Sequence, residues 1–336
     1  MLLTAALLLV ASCLWGQESV TRIWDEGYSA FPSIERYGGR YYVTFREAEG
    51  HVFDRNGKAA GRIRILASDD GSKWESVALL SKEGFDLRDP KLSVTPDGRL
   101  MVILGGSVYD DMKVLRKRIP HVSFSTDGVH FSDPVPTVFE EEIANDRQWI
   151  WRVTWNGDTG YAVAYGKHFA LFRTRDGLFY EHVTELDVDG EPNETTLRFL
   201  PDGRMAMMIR REKDDRRGYW AVGEYPYKEW KFIPMDVTQL GGPDFMLMED
   251  GSVLAGTRSS YIKSRPKMVL LRGDLEGNFE EVRLLPSGGD CSYPGFLKVG
   301  NELWVVYYSS HELKRAAIYL AKFKYDEFIC SSMQTD

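Results

Sequence analysis

A glycine-containing turn followed by a strand-like run recurs six times along the chain, and this repeat limits the folds that the chain can adopt. The six stretches are RYGGRYYVTFR, TPDGRLMVILGG, WNGDTGYAVAYG, LPDGRMAMMIRR, MEDGSVLAGTR and KVGNELWVVYY. Their turn glycines lie 46 to 59 residues apart and are Gly39, Gly98, Gly157, Gly203, Gly251 and Gly300. Because glycine permits the positive φ that tight turns require, each stretch predicts a β-hairpin.

A second hairpin follows each of these, and in three repeats its turn has a common pattern in the segments SDDGSKW, STDGVHF and TRDGLFY. The aspartate of such a turn can accept hydrogen bonds from backbone N–H groups, and the glycine relieves backbone strain. The aromatic residue packs back on the sheet. We therefore expect Asp70, Asp127 and Asp176 to hold turns and to take no part in catalysis.

Two hairpins per repeat predict a four-stranded antiparallel sheet, and six such sheets in a ring make an all-β, six-bladed β-propeller. The last repeat supplies only three strands, in PGFLKV, ELWVVYY and AAIYLAKFKY. The N-terminal segment SVTRIWDEG can add the fourth, so that both chain ends close the last blade and leave no open edge. We expect one propeller domain over residues 19–330, followed by a C-terminal tail over 331–336.

The first 18 residues have the character of an export signal. Residues 2–12 form an uncharged apolar run that is too short to span a bilayer. The VASC sequence that ends at Cys13 resembles a bacterial lipobox, which would attach a lipid to this cysteine. We expect an exported protein that is periplasmic, secreted or lipid-anchored at the cell surface; the alternative is an ordinary apolar N-terminus.

Polar residues collect in particular connections of the predicted propeller. In a blade with strands a, b, c and d, the d-to-a and b-to-c connections share one rim, and loops on rigid scaffolds are where sites are usually built. The d-to-a connections contain Arg88, Asp89, Arg147, Arg152, Asn193, Glu194, Asp244, Asp290 and Tyr293. The b-to-c connections contain Arg46, Glu47, His51, Asp54, Lys167, His168, Arg210, Arg258 and His311. We therefore expect the functional site at this rim, where a tight hairpin over residues 191–212 would bring Glu194 and Arg210 together.

Over nearly its whole mature length the chain resembles the sialidase superfamily of six-bladed propellers. NETTLRFLPDGRMAMMIRR is similar to the family segment with a catalytic glutamate and, sixteen positions later, a substrate-binding arginine, which implies Glu194 and Arg210. DCSYPG is similar to the stretch with the tyrosine nucleophile and implies Tyr293. LAGTRSS implies Arg258 as the next arginine that binds the sugar carboxylate.

The chain also departs from the family pattern. Each Asp-Gly turn is one residue shorter than the usual form, and Phe31 in SAFPSIERYGG stands where the family has an arginine in an R-I-P context. One of three carboxylate-binding arginines is therefore missing. The family acid is an aspartate in the b-to-c loop of the first blade, which implies Asp54 in REAEGHVFDRNG, with Glu47 and His51 as competitors.

The resemblance implies an exo-acting glycoside hydrolase of the sialidase type, acting on an acidic or unusual terminal sugar. A tyrosine of ordinary pKa near 10 is a weak nucleophile, so a carboxylate such as Glu194 must take its proton as it attacks. The expected partner is a carbohydrate; the net charge of −8 argues against nucleic acid. This mechanism requires no cofactor or metal.

Further substrate-binding candidates on the same rim are Arg46, Glu47, His51, Arg88, Asp89, Arg152, Asp244 and His311.

Two other classes of function fit the same scaffold. A non-catalytic glycan-binding propeller would present aromatic residues such as Trp149, Trp151 and Tyr109 as a platform for sugar rings. A polysaccharide lyase or furanosidase would use His51, His168 or His311 as acid or base. The fold alone does not choose among these functions.

Overall fold

The structure is a computed structural model that describes residues 19–140, 147–259 and 266–329. The export-signal segment, Cys13 and the C-terminal tail lie outside these residues, so the predictions about them stay predictions. Within the described ranges, no helix is both long enough and apolar enough to cross a membrane. The described chain consists of β-strands joined by turns, with a single 3-10 turn over Tyr325–Phe328.

The strands form the six-bladed propeller that the sequence predicted. Blade 1 contains β2 (Tyr28–Tyr37), β3 (Arg40–Ala48), β4 (Arg62–Ser68) and β5 (Glu75–Leu80). Blade 2 contains β6 (Asp86–Val94), β7 (Leu100–Tyr109), β8 (Leu115–Ser125) and β9 (Val135–Pro136). Blade 3 contains β10 (Val138–Phe139), β11 (Gln148–Ile150), β12 (Thr154–Asn156), β13 (Thr159–Gly166), β14 (Ala170–Thr174) and β15 (Phe179–Glu185).

The second half of the ring is more regular. Blade 4 contains β16 (Pro192–Phe199), β17 (Met205–Arg211), β18 (Arg217–Gly223) and β19 (Phe232–Thr238). Blade 5 contains β20 (Asp244–Leu247), β21 (Val253–Ser259), β22 (Lys267–Gly273) and β23 (Phe279–Leu284). Blade 6 contains β24 (Cys291–Val299), β25 (Glu302–Ser309), β26 (Ala317–Lys324) and the N-terminal β1 (Ser19–Trp24).

The N-terminal strand closes the ring, as the sequence predicted. β1 pairs antiparallel with β26, with Val20 opposite Ala321 and Arg22 opposite Tyr319. The order in the last blade is therefore β1-β26-β25-β24. This pairing joins the two ends of the chain in one sheet and covers an edge that would otherwise be open.

Blade 3 departs from the four-stranded plan. Its inner strand is interrupted, so that β11 and β12 pair with different parts of β13. The two-residue β10 adds a parallel strand beside β15 at the outside of the blade. The interruption leaves Trp151 and Arg152 between the two short strands, near the central axis.

The core of the propeller lies between the blades. Each of the six interfaces between neighbouring blades contains its own cluster of buried apolar side chains. Successive residues of a strand point to opposite faces, so one strand serves two interfaces. In β3, Val43 and Phe45 pack toward blade 6, whereas Tyr42 packs toward blade 2. This explains why the middle strands are continuous apolar runs rather than alternating ones.

The three Asp-Gly turns join strand c to strand d at the rim opposite the expected site. The carboxylate of Asp127 accepts hydrogen bonds of 2.8 Å from the backbone N–H groups of Val129 and His130. The backbone at Gly128 has a φ of 74° and passes so close to Tyr42 of blade 1 that a Cβ would lie 2.0 Å from its hydroxyl. These turns therefore also hold neighbouring blades together.

Candidate active site

The inner strands of blades 1, 2 and 6 begin with the same backbone feature. Phe31, Asp89 and Tyr293 have positive φ values of 65°, 49° and 58°, and a proline follows each of them. At each position the strand register shifts against its neighbour, which marks a β-bulge. A positive φ is costly for a non-glycine residue, and bulges redirect side chains next to functional sites. Three blades thus direct a side chain toward the same part of the central axis.

Tyr293 and Glu194 are in direct contact. The phenol of Tyr293 donates a hydrogen bond to Oε1 of Glu194. The other oxygen, Oε2, accepts a bond of 2.5 Å from Arg210 and one of 2.7 Å from the backbone N–H of Gly242. Both side chains of the central pair are buried, with 8% of Tyr293 and 6% of Glu194 exposed. The contact joins blades 4, 5 and 6.

The surroundings fix the charge states of this pair. Burial by itself would raise the pKa of Glu194, but the charge of Arg210 and the hydrogen bonds from Tyr293, Arg210 and Gly242 hold it below its ordinary value. Burial and the negative charge of Glu194 raise the pKa of Tyr293 well above its ordinary value. The resting pair is therefore a neutral phenol that donates a hydrogen bond to a carboxylate.

The hairpin of β16 and β17 explains the contact between Glu194 and Arg210. Pro192 lies opposite Arg211 and Thr195 lies opposite Ile209, so a bulge falls between them at Glu194. The two residues sit at the open end of this hairpin, as the sequence analysis expected. Arg210 also forms an ion pair with Glu212.

These residues line a cavity of about 290 Å³ at the rim. Its lining comes from blades 2, 3, 4 and 6 and consists of Arg88, Asp89, Ser107, Tyr109, Leu115, Arg118, Trp149, Tyr165, Asn193, Glu194, Arg210, Glu212 and Tyr293. Blade 1 contributes Phe31 from beneath, with its ring centroid 4.8 Å from that of Tyr293. The guanidinium of Arg88 lies 5.3 Å from the centroid of the same Phe31 ring.

A lysine is buried on the axis below the cavity. The ammonium of Lys91 lies 4.4 Å from the ring centroid of Trp151 and 5.4 Å from that of Tyr293. Burial and the positive charge of Arg152 lower the pKa of Lys91 to about 7.

The acid implied by the family resemblance is placed elsewhere. The carboxylate of Asp54 accepts bonds of 2.8 Å and 2.7 Å from the backbone N–H groups of Asn56 and Lys58, and so holds its own turn. Asp54 and Glu47 line a separate surface depression, and neither is part of the cavity lining among the described residues.

The carboxylate of Glu47 is bound by side chains of blade 1 and of the closing strand β1. Its carboxylate pairs with Arg64 at 2.8 Å and Arg62 at 3.2 Å, and it accepts a bond of 3.2 Å from the indole of Trp24. These contacts leave it as a structural link between the closing strand and blade 1.

His51 contacts polar groups of Tyr28 and Asp290. Its Nδ1 is 2.7 Å from the carboxylate of Asp290 and 2.8 Å from the hydroxyl of Tyr28. Its ring contacts the edge of Phe31 at a centroid distance of 5.3 Å. The first-blade loop therefore places Glu47, His51 and Asp54 outside the described lining of the cavity that contains Arg210.

Several other predicted substrate-binding residues have structural partners. Arg46 is fully buried, pairs with Asp86 at 2.7 Å, and donates to the carbonyl oxygens of Gly50 and Val52. These contacts hold the first-blade loop.

Arg152 and Asp244 lie deeper on the axis. Arg152 pairs with Asp244 at 2.9 Å, and Arg198 pairs with the other oxygen of Asp244 at 2.6 Å. Arg152 and Arg198 line a second cavity, of about 350 Å³, three to four residues further along the inner strands. This pair therefore belongs to the opposite end of the central channel.

Arg258 and His311 lie on the expected rim but outside the described lining of the cavity. Arg258 is the last residue but one of β21, and its side chain lies beside the backbone of Gly241. His311 is half-buried, and its Nδ1 lies 2.9 Å from the hydroxyl of Ser309.

Of the residues expected for the two alternative functions, only some line the cavity. Trp149 and Tyr109 line the cavity, but Trp151 is fully buried and offers no sugar platform. His168 lies 3.3 Å from Glu185, and none of the three candidate histidines is part of the described cavity lining.

Arg118, Tyr165 and Glu212 line the cavity but were not predicted from the sequence. Tyr109, Leu115 and Arg118 flank the b-to-c connection of blade 2, in a segment whose charged and apolar residues resemble a short helix, whereas the structure has an extended β8. Glu212 directly follows Arg210 and Arg211, so its position next to the hairpin end was a signal that could have identified it.

No family model and no curated protein matches the chain. Among solved structures, an α-L-arabinofuranosidase of Fusarium graminearum in complex with an iminosugar inhibitor is similar at a TM-score of 0.67 and 14% identity, covering 92% of this chain and 98% of that one. An α-L-arabinanase of Penicillium chrysogenum complexed with arabinobiose is similar at a TM-score of 0.66 and 16% identity, covering 92% and 99%.

A sialidase of Trypanosoma rangeli in complex with the inhibitor DANA is similar at a TM-score of 0.66 and 11% identity. The match covers 92% of this chain and 60% of that one. At these identities the likeness concerns the fold, and it confirms the six-bladed propeller that the resemblance to sialidases implied.

Proposed function

We propose that this protein is a glycoside hydrolase that removes a terminal sugar from an anionic glycan, with Tyr293 as nucleophile and Glu194 as its base. The observation that carries the proposal is the hydrogen bond between Tyr293 and Glu194 inside a rim cavity, with Arg210 bound to the same carboxylate. A buried phenol that donates to an ionised carboxylate is the arrangement that an activated nucleophile requires.

The chemistry proceeds in two steps. In the first, the phenolic oxygen of Tyr293 bonds to the anomeric carbon and its proton passes to Glu194, while the bond to the leaving oxygen breaks and an acid of the site protonates that oxygen. In the second, water bonds to the anomeric carbon and gives a proton to the conjugate base of that acid, the bond to Tyr293 breaks, and Glu194 returns its proton to the phenolate. Two displacements at one carbon predict retention of the anomeric configuration.

The charge around the cavity supports an anionic substrate. Arg88, Arg118 and Arg210 line the cavity itself. A groove of about 640 Å³ shares Leu115 and Arg118 with the cavity, and its basic lining residues are Arg116, Lys117, Arg118, Arg147 and Lys167. This concentration of positive charge occurs in a chain whose net charge is −8. It favours a negatively charged oligosaccharide that continues from the cavity into the groove.

Phe31 argues against sialic acid as the sugar. Its ring is 1% exposed and packs against Tyr293, His51 and Tyr308, so it supplies no charge to a sugar carboxylate. A furanosidase is therefore the second candidate, and the arabinofuranosidase and arabinanase that have the same fold favour it. In either case the proposed nucleophile is the same.

A substrate panel tests the function. Purified protein is assayed with aryl sialosides, aryl uronides and aryl arabinofuranosides, and the anomer of each product is identified by NMR. Release of aglycone with retention supports the proposal, and a fluorinated analogue of the active sugar should leave a sugar mass on the peptide that contains Tyr293. Tight binding on a glycan array without any product would instead identify a glycan-binding propeller, and an unsaturated product would identify a lyase.

We also propose that the protein is exported, with the lipid anchor at Cys13 as one form of attachment. The supporting observation is the apolar run over residues 2–12 followed by VASC. Fractionation of cells that express the wild type and Cys13→Ala tests this. An anchored protein moves from the membrane to the soluble exported fraction in the variant, whereas cytoplasmic wild type would contradict export.

A further inference from the structure

A glycosidase that uses a nucleophile also needs a group that donates a proton to the leaving oxygen. Three carboxyl groups line the cavity, on Asp89, Glu194 and Glu212. Glu194 is engaged with Tyr293, Arg210 and the backbone of Gly242. Glu212 pairs with Arg210 and accepts a bond of 3.4 Å from Asn193. Asp89 is therefore the remaining carboxyl of the described lining.

Asp89 is buried without a hydrogen-bond partner. It is 8% exposed, and its Oδ1 has no partner among the described residues. An unpaired buried polar oxygen costs free energy, and such groups in native proteins call for a functional explanation. The backbone adds to this cost, because Asp89 has a φ of 49°.

The position of Asp89 relates it to Tyr293. Each residue occupies the bulge at the start of an inner strand, in blade 2 and in blade 6, and each is followed by proline. Both line the same cavity. The two side chains thus reach one space from two different blades, as a nucleophile and a proton donor on either side of a scissile bond must.

The environment favours the protonated form of Asp89. Burial raises its pKa and outweighs the charges of Arg88 and Lys91, which lower it, and the negative charge of Glu194 adds to the rise. The titratable groups that face it are Arg46, Arg88, Lys91, Tyr165, Glu194 and Tyr293. A carboxyl with a raised pKa beside a carboxylate with a lowered pKa is the combination that separates an acid from a base.

We infer that Asp89 is the proton donor of the proposed hydrolysis, in place of the first-blade residues that the family resemblance implied. The inference rests on the proposed function. In the first step the proton of Asp89 moves to the leaving oxygen as that oxygen separates from the anomeric carbon, which leaves Asp89 as a carboxylate. In the second step this carboxylate takes a proton from the attacking water and returns to its starting state.

A series of aryl glycosides with leaving groups of graded pKa tests the donor. Asparagine tolerates positive φ, so Asp89→Asn should keep the backbone while removing the proton. We expect kcat/KM to fall at least about a hundredfold more for poor leaving groups than for nitrophenyl leaving groups, since the latter need little protonation. The matched control is Glu212→Gln, which removes a carboxylate from the same cavity and should slow all leaving groups by the same factor.

Two outcomes of this series overturn the inference. One is an equal loss for every leaving group in Asp89→Asn. The other is a dependence on leaving group in Asp54→Asn, which would return the role to the first blade. If the wild type releases no aglycone from any glycoside, the proposed function fails instead.

A spectroscopic measurement decides the protonation state without activity. The infrared difference spectrum at neutral pH between the wild type and Asp89→Asn should contain the carbonyl band of a protonated carboxyl that only the wild type has. Glu35, whose pKa is also raised by burial, is present in both proteins and cancels. A carboxylate band in the wild type instead would overturn the inference whether or not a substrate is known.

Discussion

Tyr293 donates a hydrogen bond to Glu194 although the two residues lie 99 positions apart in the sequence. The contact crosses the ring from blade 6 to blade 4, and the backbone of Gly242 in blade 5 completes it. No single hairpin can make such a pair. It depends on the packing of blades 4, 5 and 6 around the central axis.

Tyr293→Phe tests the role of the phenol. The substitution keeps the ring and its contacts with Phe31 and Trp151 and removes the oxygen alone. We expect a folded protein whose kcat on an active aryl glycoside is at least about a thousand times lower, because covalent catalysis is lost while binding remains. Circular dichroism and stopped assays on the same preparation check this. Near-normal turnover by a folded variant would show that Tyr293 only packs.

The pH dependence of kcat/KM should be bell-shaped. Glu194 must be ionised, and its pKa lies below the ordinary value because of Arg210 and its hydrogen bonds, so activity falls as the pH drops through that lowered pKa. Asp89 must be protonated, and burial raises its pKa, so activity falls as the pH rises through that raised pKa. In Asp89→Asn the limb at higher pH should disappear while the acid limb stays, and an unchanged profile would contradict this assignment.

The basic groove should bind long anionic substrates. Lys117 and Lys167 line it, are exposed, and pair with no described carboxylate. The double variant Lys117→Gln and Lys167→Gln should raise KM for an anionic oligosaccharide about fivefold or more and leave a small aryl glycoside unaffected. Added salt should raise KM in the wild type more than in the variant. Lys73→Gln, in a turn of the opposite rim, is the control, and equal KM values in the groove variant and this control would refute the prediction.

The contribution of an Asp-Gly turn to the packing between blades can be measured by comparing alanine substitutions at two glycines. Gly98 and Gly128 both have positive φ, at 80° and 74°, but a Cβ at Gly98 meets nothing within 4 Å, whereas one at Gly128 meets Tyr42. Gly98→Ala should cost about 1 kcal/mol of unfolding free energy from backbone strain alone. Gly128→Ala should cost about 2 to 4 kcal/mol, since overpacking adds to the strain. Urea unfolding of both variants measures the difference, and equal losses would mean that the contact with Tyr42 contributes nothing.

The sequence allowed the ring of blades to be predicted because its signals are local. Each hairpin needs a glycine at its turn and apolar residues in its strands, and both are visible within about a dozen positions. The last repeat supplies only three strands, which predicted that the N-terminal segment adds the fourth. The structure confirms this, because β1 pairs with β26. Residues 110–119, DDMKVLRKRI, show the limit of local signals: their charged and apolar side chains are spaced as in a short helix, but pairing with β7 holds β8 extended.

The contact between Glu194 and Arg210 was also predictable, since both lie in one hairpin and its register decides their distance. The positions of Asp54 and Glu47 were not. Asp54 is held by the backbone of its own turn and Glu47 by Arg64 and Arg62, and these interactions depend on how the first-blade loop folds. Their assigned roles came from the order of motifs in the sequence, which does not specify the direction of a loop.

The sequence by itself determined the all-β class, the number of blades, the closing strand and the rim on which polar residues gather. Only the tertiary structure decided which of those residues share a cavity. The burial, hydrogen bonding and neighbouring charges of a side chain depend on how the blades pack around it. They distinguish Asp89, whose Oδ1 has no described partner in the cavity, from Asp244, which pairs with two arginines deeper on the axis. Asp89 lies near the start of the inner strand β6, and Asp244 begins the inner strand β20. Their sequence positions are therefore similar, and only the packing of distant blades around each carboxyl sets its charge state and partners.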